Sequence, residues 1–300
     1  MKLFSGFFLA LLFVGCQSEE SPLAETPKDD ASTTVSDTIQ EEKPDEQIKQ
    51  LDLDELKECI KFATFKAPLI PCLKEFRDEI MKHEPSSIDS IYLLTFNKLD
   101  ELGLTVFFDE DRDFDRDTWK LKKGVAERYL ESGFVLDQEE GMYFLVVDDQ
   151  FLYEEFRDLV TTELRKYLEF RATYPTKITY DAGLILSPQD FAVRLILLEE
   201  LLQNDNQLVQ DLVQPIFSAE LSMFFIGTDN TPAFDWSDEH PYYPENKAAV
   251  NYLKNNGLPI GKKYATIVYN ELEKSNWSVD TDSFYLLATQ KAIAKDLKNR

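Results

Sequence analysis

Histidine is nearly absent: His83 and His240 are the only two in 300 residues. That excludes a zinc site built on three histidines, and no HExxH stands in the chain. No GxSxG elbow, P-loop or GxGxxG occurs either, so the common signatures of hydrolase, nucleotide and dinucleotide sites are missing. Positive charge is scarce, with 32 Lys and Arg against 56 Asp and Glu and a formal net charge of −24. Nucleic acid and anionic lipid headgroups both need a positive surface, so neither is an expected partner. The acidity fits solubility first, then a cationic partner or divalent counterions. Cysteine is limited to Cys16, Cys59 and Cys72, with no CxxC among them.

What the chain does have begins at its N-terminus. Lys2 is followed by an apolar run from Leu3 to Gly15 and then by Cys16. A basic start, about a dozen apolar residues and a small residue before the cut make a secretory signal peptide, residues 1–15. At ~1.5 Å per residue the run is too short to span a ~30 Å hydrocarbon core comfortably. The positions Phe13-Val14-Gly15-Cys16 resemble the lipobox of bacterial lipoproteins, with Phe13 where Leu is usual. The resemblance implies that Cys16 is acylated and becomes the mature N-terminus, and several acyl chains on one residue suffice for stable anchoring. Gln17-Ser18-Glu19-Glu20 also resembles the surface-export tract of lipoproteins in the Bacteroidetes group. The implied location is the bacterial outer membrane or cell surface, with the membrane reached only through the acyl chains on Cys16.

Residues 17–50 carry ten acidic residues, three lysines and no aromatic residue. Such a stretch buries too little apolar area to offset the entropy of ordering. Residues 16–50 therefore read as a lipidated cysteine and a disordered acidic linker, a self-repelling tether. The remaining 51–300, net about −18, hold enough Phe, Leu and Tyr for a sizeable core. They form either one helical domain or two packed subdomains, 51–147 and 148–300. With Cys16 acylated, Cys59 and Cys72 are an even pair. Outside the cytoplasm they are expected to form a disulfide, across a turn at Lys66–Pro71, rather than remain buried thiols.

Helical periodicity dominates. Leu53, Leu56, Ile60 and Ala63 form one apolar stripe, and Ile88, Ile91, Tyr92, Thr95, Phe96, Leu99 and Leu102 another. A short helix holds Cys72, Phe76 and Ile80. Leu104–Phe108 has strand character, a helix is expected near 117–132, and residues 133–147 read as a β-hairpin. One long helix is expected to carry Leu152, Phe156, Leu159, Val160, Leu164, Tyr167 and Leu168. Ser187-Pro188-Gln189-Asp190 marks a helix start, and Asn204-Asp205-Asn206 a break. Further helices follow from about Gln207 to Phe225, near 244–256 with Gly257 as its stop, near 261–274 and near 282–298. The fold class is mainly α, stacked αα-hairpins resembling a helical array, with a small β-hairpin element near 133–147.

Two loops are candidate sites. In the run Asp109–Asp117, the carboxylates Asp109, Asp111, Asp113 and Asp115 mimic the opening of a calcium loop. Phe114 stands where such a loop needs Gly, and Lys120 where it needs Glu. A solvated acidic loop is thus the first reading and calcium the second; no other cofactor is expected. The loop 227–243 mixes aromatic rings with acids in Asp229, Asn230, Asp235, Trp236, Glu239, His240 and Tyr242, a candidate ligand-binding set. Its plainer reading is an interhelical connection whose polar residues satisfy turns and whose aromatics plug the core.

No catalytic residue stands out. The expected function is that of a lipid-anchored cell-envelope protein, whose helical domain binds a protein, peptide or glycan partner without catalysis. The alternatives are an envelope polysaccharide hydrolase using Asp/Glu carboxylates and a purely structural envelope protein. A Cys16→Ser variant is expected to move to the soluble fraction and to lose its lipid mass. Retention of a lipid-bearing form in the membrane would show that Cys16 is not the anchor.

Overall fold

The computed structural model describes residues 53–64, 69–104, 108, 113–115, 121–122, 124–130, 132–139, 142–235, 241–279, 292–293 and 295–297. The signal peptide, Cys16, the linker and most of the helix expected near 282–298 lie outside the described residues. As expected, the chain is mainly helical with a small antiparallel hairpin. Among the described residues no helix is long and apolar enough to cross a membrane.

The first layer is α1 (Leu53–Lys61), α2 (Leu69–Glu75), α3 (Arg77–Ile80) and α4 (Pro85–Leu104). The apolar stripe of α1 buries Leu56 and Ile60 beside α4, whose buried face carries Ile88, Ile91, Tyr92, Thr95 and Leu99. Cys59 and Cys72 form a disulfide that joins α1 to α2 across a Cα–Cα distance of 6.1 Å. Leu104, expected to open a strand, is the last residue of α4; positions 105–107 lie outside the described residues. The helix expected from 117 begins only at Val125, as α5 (Val125–Leu130). Leu121 is instead held in a bridge to Phe114, and Lys122 N donates to Asp113 O at 2.8 Å.

Strands β1 (Phe134–Glu139) and β2 (Met142–Val147) pair from Phe134↔Val147 to Glu139↔Met142, and β2 lies against α4. The long helix expected through Leu152–Leu168 is two: α6 (Asp149–Phe156) and α7 (Thr162–Thr173). Its apolar periodicity runs unbroken because Val160 is buried too. Hydrogen bonding overrides that periodicity. Buried Asp89 accepts from Thr161 N at 2.9 Å and from Thr161 Oγ1 at 2.7 Å, and Thr161 leaves the helical region at ψ 157° to cap α7.

Hairpin β3 (Thr179–Tyr180) and β4 (Gly183–Leu184) precedes α8 (Pro188–Leu202), which starts at Ser187 as N-cap with Pro188 in its first turn. Asn206 caps α9 (Gln207–Ile226), which contains Pro215. A second small hairpin, β5 (Gly227–Thr228) and β6 (Thr231–Pro232), leads to α10 (Pro244–Asn256) and α11 (Pro259–Lys274). Gly257 does end α10, yet at φ −65° rather than in the left-handed region. A side chain there would run into the Leu253 carbonyl oxygen.

Helix α8 is the hub, packing against α7, α9, α10 and α11. It carries two buried charges, Arg194 and Glu199. Glu199, 1% exposed, accepts from Ile260 N at 2.6 Å and Gly261 N at 2.8 Å. It thus caps the start of α11, which has no side-chain cap of its own. Gly261 allows this approach, since a Cβ there would sit 3.0 Å from Glu199 Oε2. Buried apolar side chains of α1–α4, the β1–β2 hairpin and α6–α11 form one contiguous core.

Candidate functional site

A cleft of about 190 Å³ lies where the β1–β2 hairpin, α4, α7 and the segment after α7 meet. Its apolar wall is Phe96 from α4 with Val135, Val146 and Val147 from the hairpin; its polar lining is Asp100, Asp137, Asp149, Arg171, Thr176 and Lys177. Each polar group is delivered by a local rule. Asp137 takes an inward position on β1, and its Oδ1 accepts from Gln138 N at 2.7 Å. Asp149 is the first residue of α6, just past the Asp148 cap. Arg171 lies in the last turn of α7. Tyr174 ends that helix in extended backbone, and Pro175 keeps the chain from re-entering it. Thr176 and Lys177 are thereby turned back toward the hairpin.

The charges meet in pairs. Arg171 Nη2 is 2.8 Å from Asp149 Oδ1, and Arg171 Nη1 donates to the Tyr167 hydroxyl at 3.1 Å. The Arg171 guanidinium also lies 4.8 Å from the Phe96 ring centroid, a cation–π contact. Thr176 Oγ1 donates to Asp149 Oδ2. Lys177 Nζ is 3.5 Å from Asp137 Oδ2 and 5.6 Å from the Tyr180 ring centroid. Behind Arg171 lies Tyr92, fully buried, whose hydroxyl has no hydrogen-bond partner among the described residues. Burial, together with Tyr167, pushes that phenol well above its ordinary range, so it stays neutral. Burial also pushes the Lys177 ammonium down to about 8. Asp100, exposed at the rim, adds a further carboxylate. A second, more open groove of about 420 Å³ between α7 and α8 is lined by Phe170, Tyr174, Leu197 and Leu201.

The residues singled out from sequence lie elsewhere. Asp229 and Asn230 form the exposed turn between β5 and β6. Asn230 N donates to Ala182 O at 3.0 Å and its Nδ2 to Asp181 O. It thereby clasps the β3–β4 turn, where Asp181 and Ala182 sit at φ 48° and 53° without being glycine. Asp235 N donates to Pro241 O at 2.9 Å. Tyr242 is buried, its hydroxyl donating to Phe225 O at 3.0 Å, as a core plug does. Trp236, Glu239 and His240 lie outside the described residues, as do Asp109 and Asp111. Asp113 is buried and Asp115 exposed; among the described residues no group of three or more His, Cys, Asp or Glu is placed to hold a metal ion.

No protein-family model matches the chain, and neither a curated protein nor a solved structure matches it.

The lowered Lys177 value links pH to stability with a definite sign. Between about 8 and the ordinary 10.5 the unfolded chain holds a proton that the folded chain has released. This group's contribution to folding therefore rises with pH across that window, and its full penalty is felt below about 8. A 13Cε NMR titration is expected to put the Lys177 midpoint near 8. A midpoint at or above 10.5 would mean that attraction to Asp137 outweighs burial.

Proposed function

We propose that this chain is a lipid-anchored domain of the bacterial cell envelope that binds one polar group of a peptide or glycan partner in the hairpin cleft. The anchor rests on the lipobox resemblance at Cys16. The binding role rests on one observation: hydrogen-bonding groups of both signs are pre-arranged against an apolar wall. Arg171, Asp149 and Thr176 brace one another, as do Lys177 and Asp137. Their geometry needs little reordering when a ligand arrives, which is where pre-organised sites gain affinity. A volume of about 190 Å³ is below the ~300–1,000 Å³ of drug-sized sites. It suits one sugar ring or one amino-acid residue, with the rest of the partner outside.

A hydrolase remains the second reading, because Asp137 and Asp149 line the same cleft. Glycoside hydrolysis needs one carboxyl protonated as the acid. Here each of the two carboxylates is engaged by a side-chain cation, Lys177 for one and Arg171 for the other, and that favours ligand binding over glycoside hydrolysis.

The test is thermal. The methyl glycoside of N-acetylglucosamine and the dipeptide alanyl-alanine stand for the two partner classes. At a hundredfold excess over Kd, a ligand that binds only the native state contributes about 2.7 kcal/mol. In a domain of this size that raises the melting midpoint by roughly 5–10 °C. One of the two is expected to do so, and Val146→Trp, which fills the cleft, is expected to abolish the rise. An equal rise in the variant would place the ligand elsewhere, and cleavage of a glycan substrate would favour the hydrolase.

A further inference from the structure

Lys177 is the one lysine among the described residues that is buried. Its stem is enclosed where β3 begins, and its Nζ lies against Asp137 on the wall of the cleft. The setting combines three features that activate an amine: removal from water, an apolar wall of Val135, Val146 and Val147, and a carboxylate at 3.5 Å able to take and return a proton. We propose that Lys177 Nζ captures a carbonyl ligand covalently, forming a reversible imine with an aldehyde such as the open-chain form of a reducing sugar, with Asp137 as the proton relay. The proposal rests on the reading of the cleft as a ligand site and adds what the ligand must carry.

The step balances within the pair. The Lys177 ammonium passes a proton to the Asp137 carboxylate, leaving a neutral amine beside a neutral acid. The amine lone pair forms the N–C bond to the carbonyl carbon as the C=O π pair moves onto oxygen, which takes the Asp137 proton. Asp137 then removes one proton from the nitrogen, giving a neutral carbinolamine. The nitrogen lone pair next expels the hydroxyl, which leaves as water with the proton from Asp137. What remains is a protonated imine facing the Asp137 carboxylate. One water is lost, nothing is oxidised or reduced, and hydrolysis reverses the sequence. The lowered Lys177 value shows that burial favours the neutral amine: on the order of one tenth of such an amine is neutral at pH 7, against roughly 0.0003 for an ordinary lysine.

The experiment traps the imine in the whole protein. Glycolaldehyde, small enough for the cleft, is added with cyanoborohydride at pH 7.5, and the modified lysines are mapped by peptide mass spectrometry. Lys177 is expected to be alkylated at least tenfold faster than exposed Lys57 and Lys274. Asp137→Asn is expected to slow Lys177 at least tenfold, and Val146→Trp to block it, with Lys57 unchanged in both as the reagent control and an unchanged circular-dichroism spectrum as the control for folding. Alkylation of Lys177 at or below the rate of Lys57 in the native chain overturns the proposal without requiring any variant. The methyl glycoside has no free aldehyde and separates the two ideas. If it or alanyl-alanine raises the melting midpoint while Lys177 stays unlabelled, imine capture fails and the binding site stands; if neither raises it and Lys177 stays unlabelled, both fail.

Discussion

The bidentate pair between Arg194 and Glu220 is the contact on which the rest of this structure turns. Arg194 Nε donates to Glu220 Oε2 at 2.7 Å and Arg194 Nη2 to Glu220 Oε1 at 2.8 Å, locking α8 to α9. The remaining Nη1 donates to the Pro175 carbonyl at 2.9 Å, and the guanidinium plane lies 4.9 Å from the Phe170 ring centroid. One buried cation therefore holds two helices and the segment that carries Thr176 and Lys177. Burial pushes the Glu220 carboxyl upward and Arg194 pulls it back only in part. Removing one partner of such a pair typically costs about 3–5 kcal/mol, because the other is left buried and unmatched. Replacing both with apolar side chains is often neutral. What the pair supplies here is position.

Two other buried carboxylates, Glu199 and Asp89, also hold helices in place. Glu199 is held by the first free amides of α11, and Asp89 by the amide and hydroxyl that open α7 together with Asn206 Nδ2 at 2.9 Å. Helix starts present unsatisfied N–H groups and a positive dipole end, so a buried acid and a helix start satisfy one another. Glu199 and Asp89 thus fasten helices that are distant in sequence. The cleft uses the opposite arrangement, acids matched by side-chain cations, which leaves hydrogen-bonding groups facing an open volume.

Much of the fold was legible because it rests on short-range rules. Ser187 and Pro188 announced α8, two apolar runs flanking the polar stretch Asp137–Gly141 announced the hairpin, and the parity of Cys59 and Cys72 announced their disulfide. The break at Thr161 is invisible in the sequence because Leu159 and Val160 keep the apolar period going, while the competing bond comes from Asp89, 72 residues away. The short start of α5 was hidden for a similar reason, since its boundary is set by the bridge between Phe114 and Leu121. The cleft left no sequence signature at all. Asp137 and Lys177 are 40 positions apart in a chain full of acids and bases, and only burial distinguishes them from their surface counterparts. The loop 227–243 drew notice for its composition, yet Asn230 works as a clasp for a strained turn and Tyr242 as a core plug.

Amide hydrogen exchange on the double variant Arg194→Met, Glu220→Leu tests most directly whether this pair positions the cleft. Removing both charges spares the core an unmatched ion and deprives only the Pro175 carbonyl of its donor. The Ile185 amide, which donates to Ile178 O at 2.9 Å just beyond the cleft segment, reports on that tether. The Gly261 amide, held by Glu199 on the far side of α8, reports on the fold. The account predicts at least tenfold faster exchange at Ile185 with Gly261 unchanged. Equal protection at Ile185 in the native chain and the variant would contradict it.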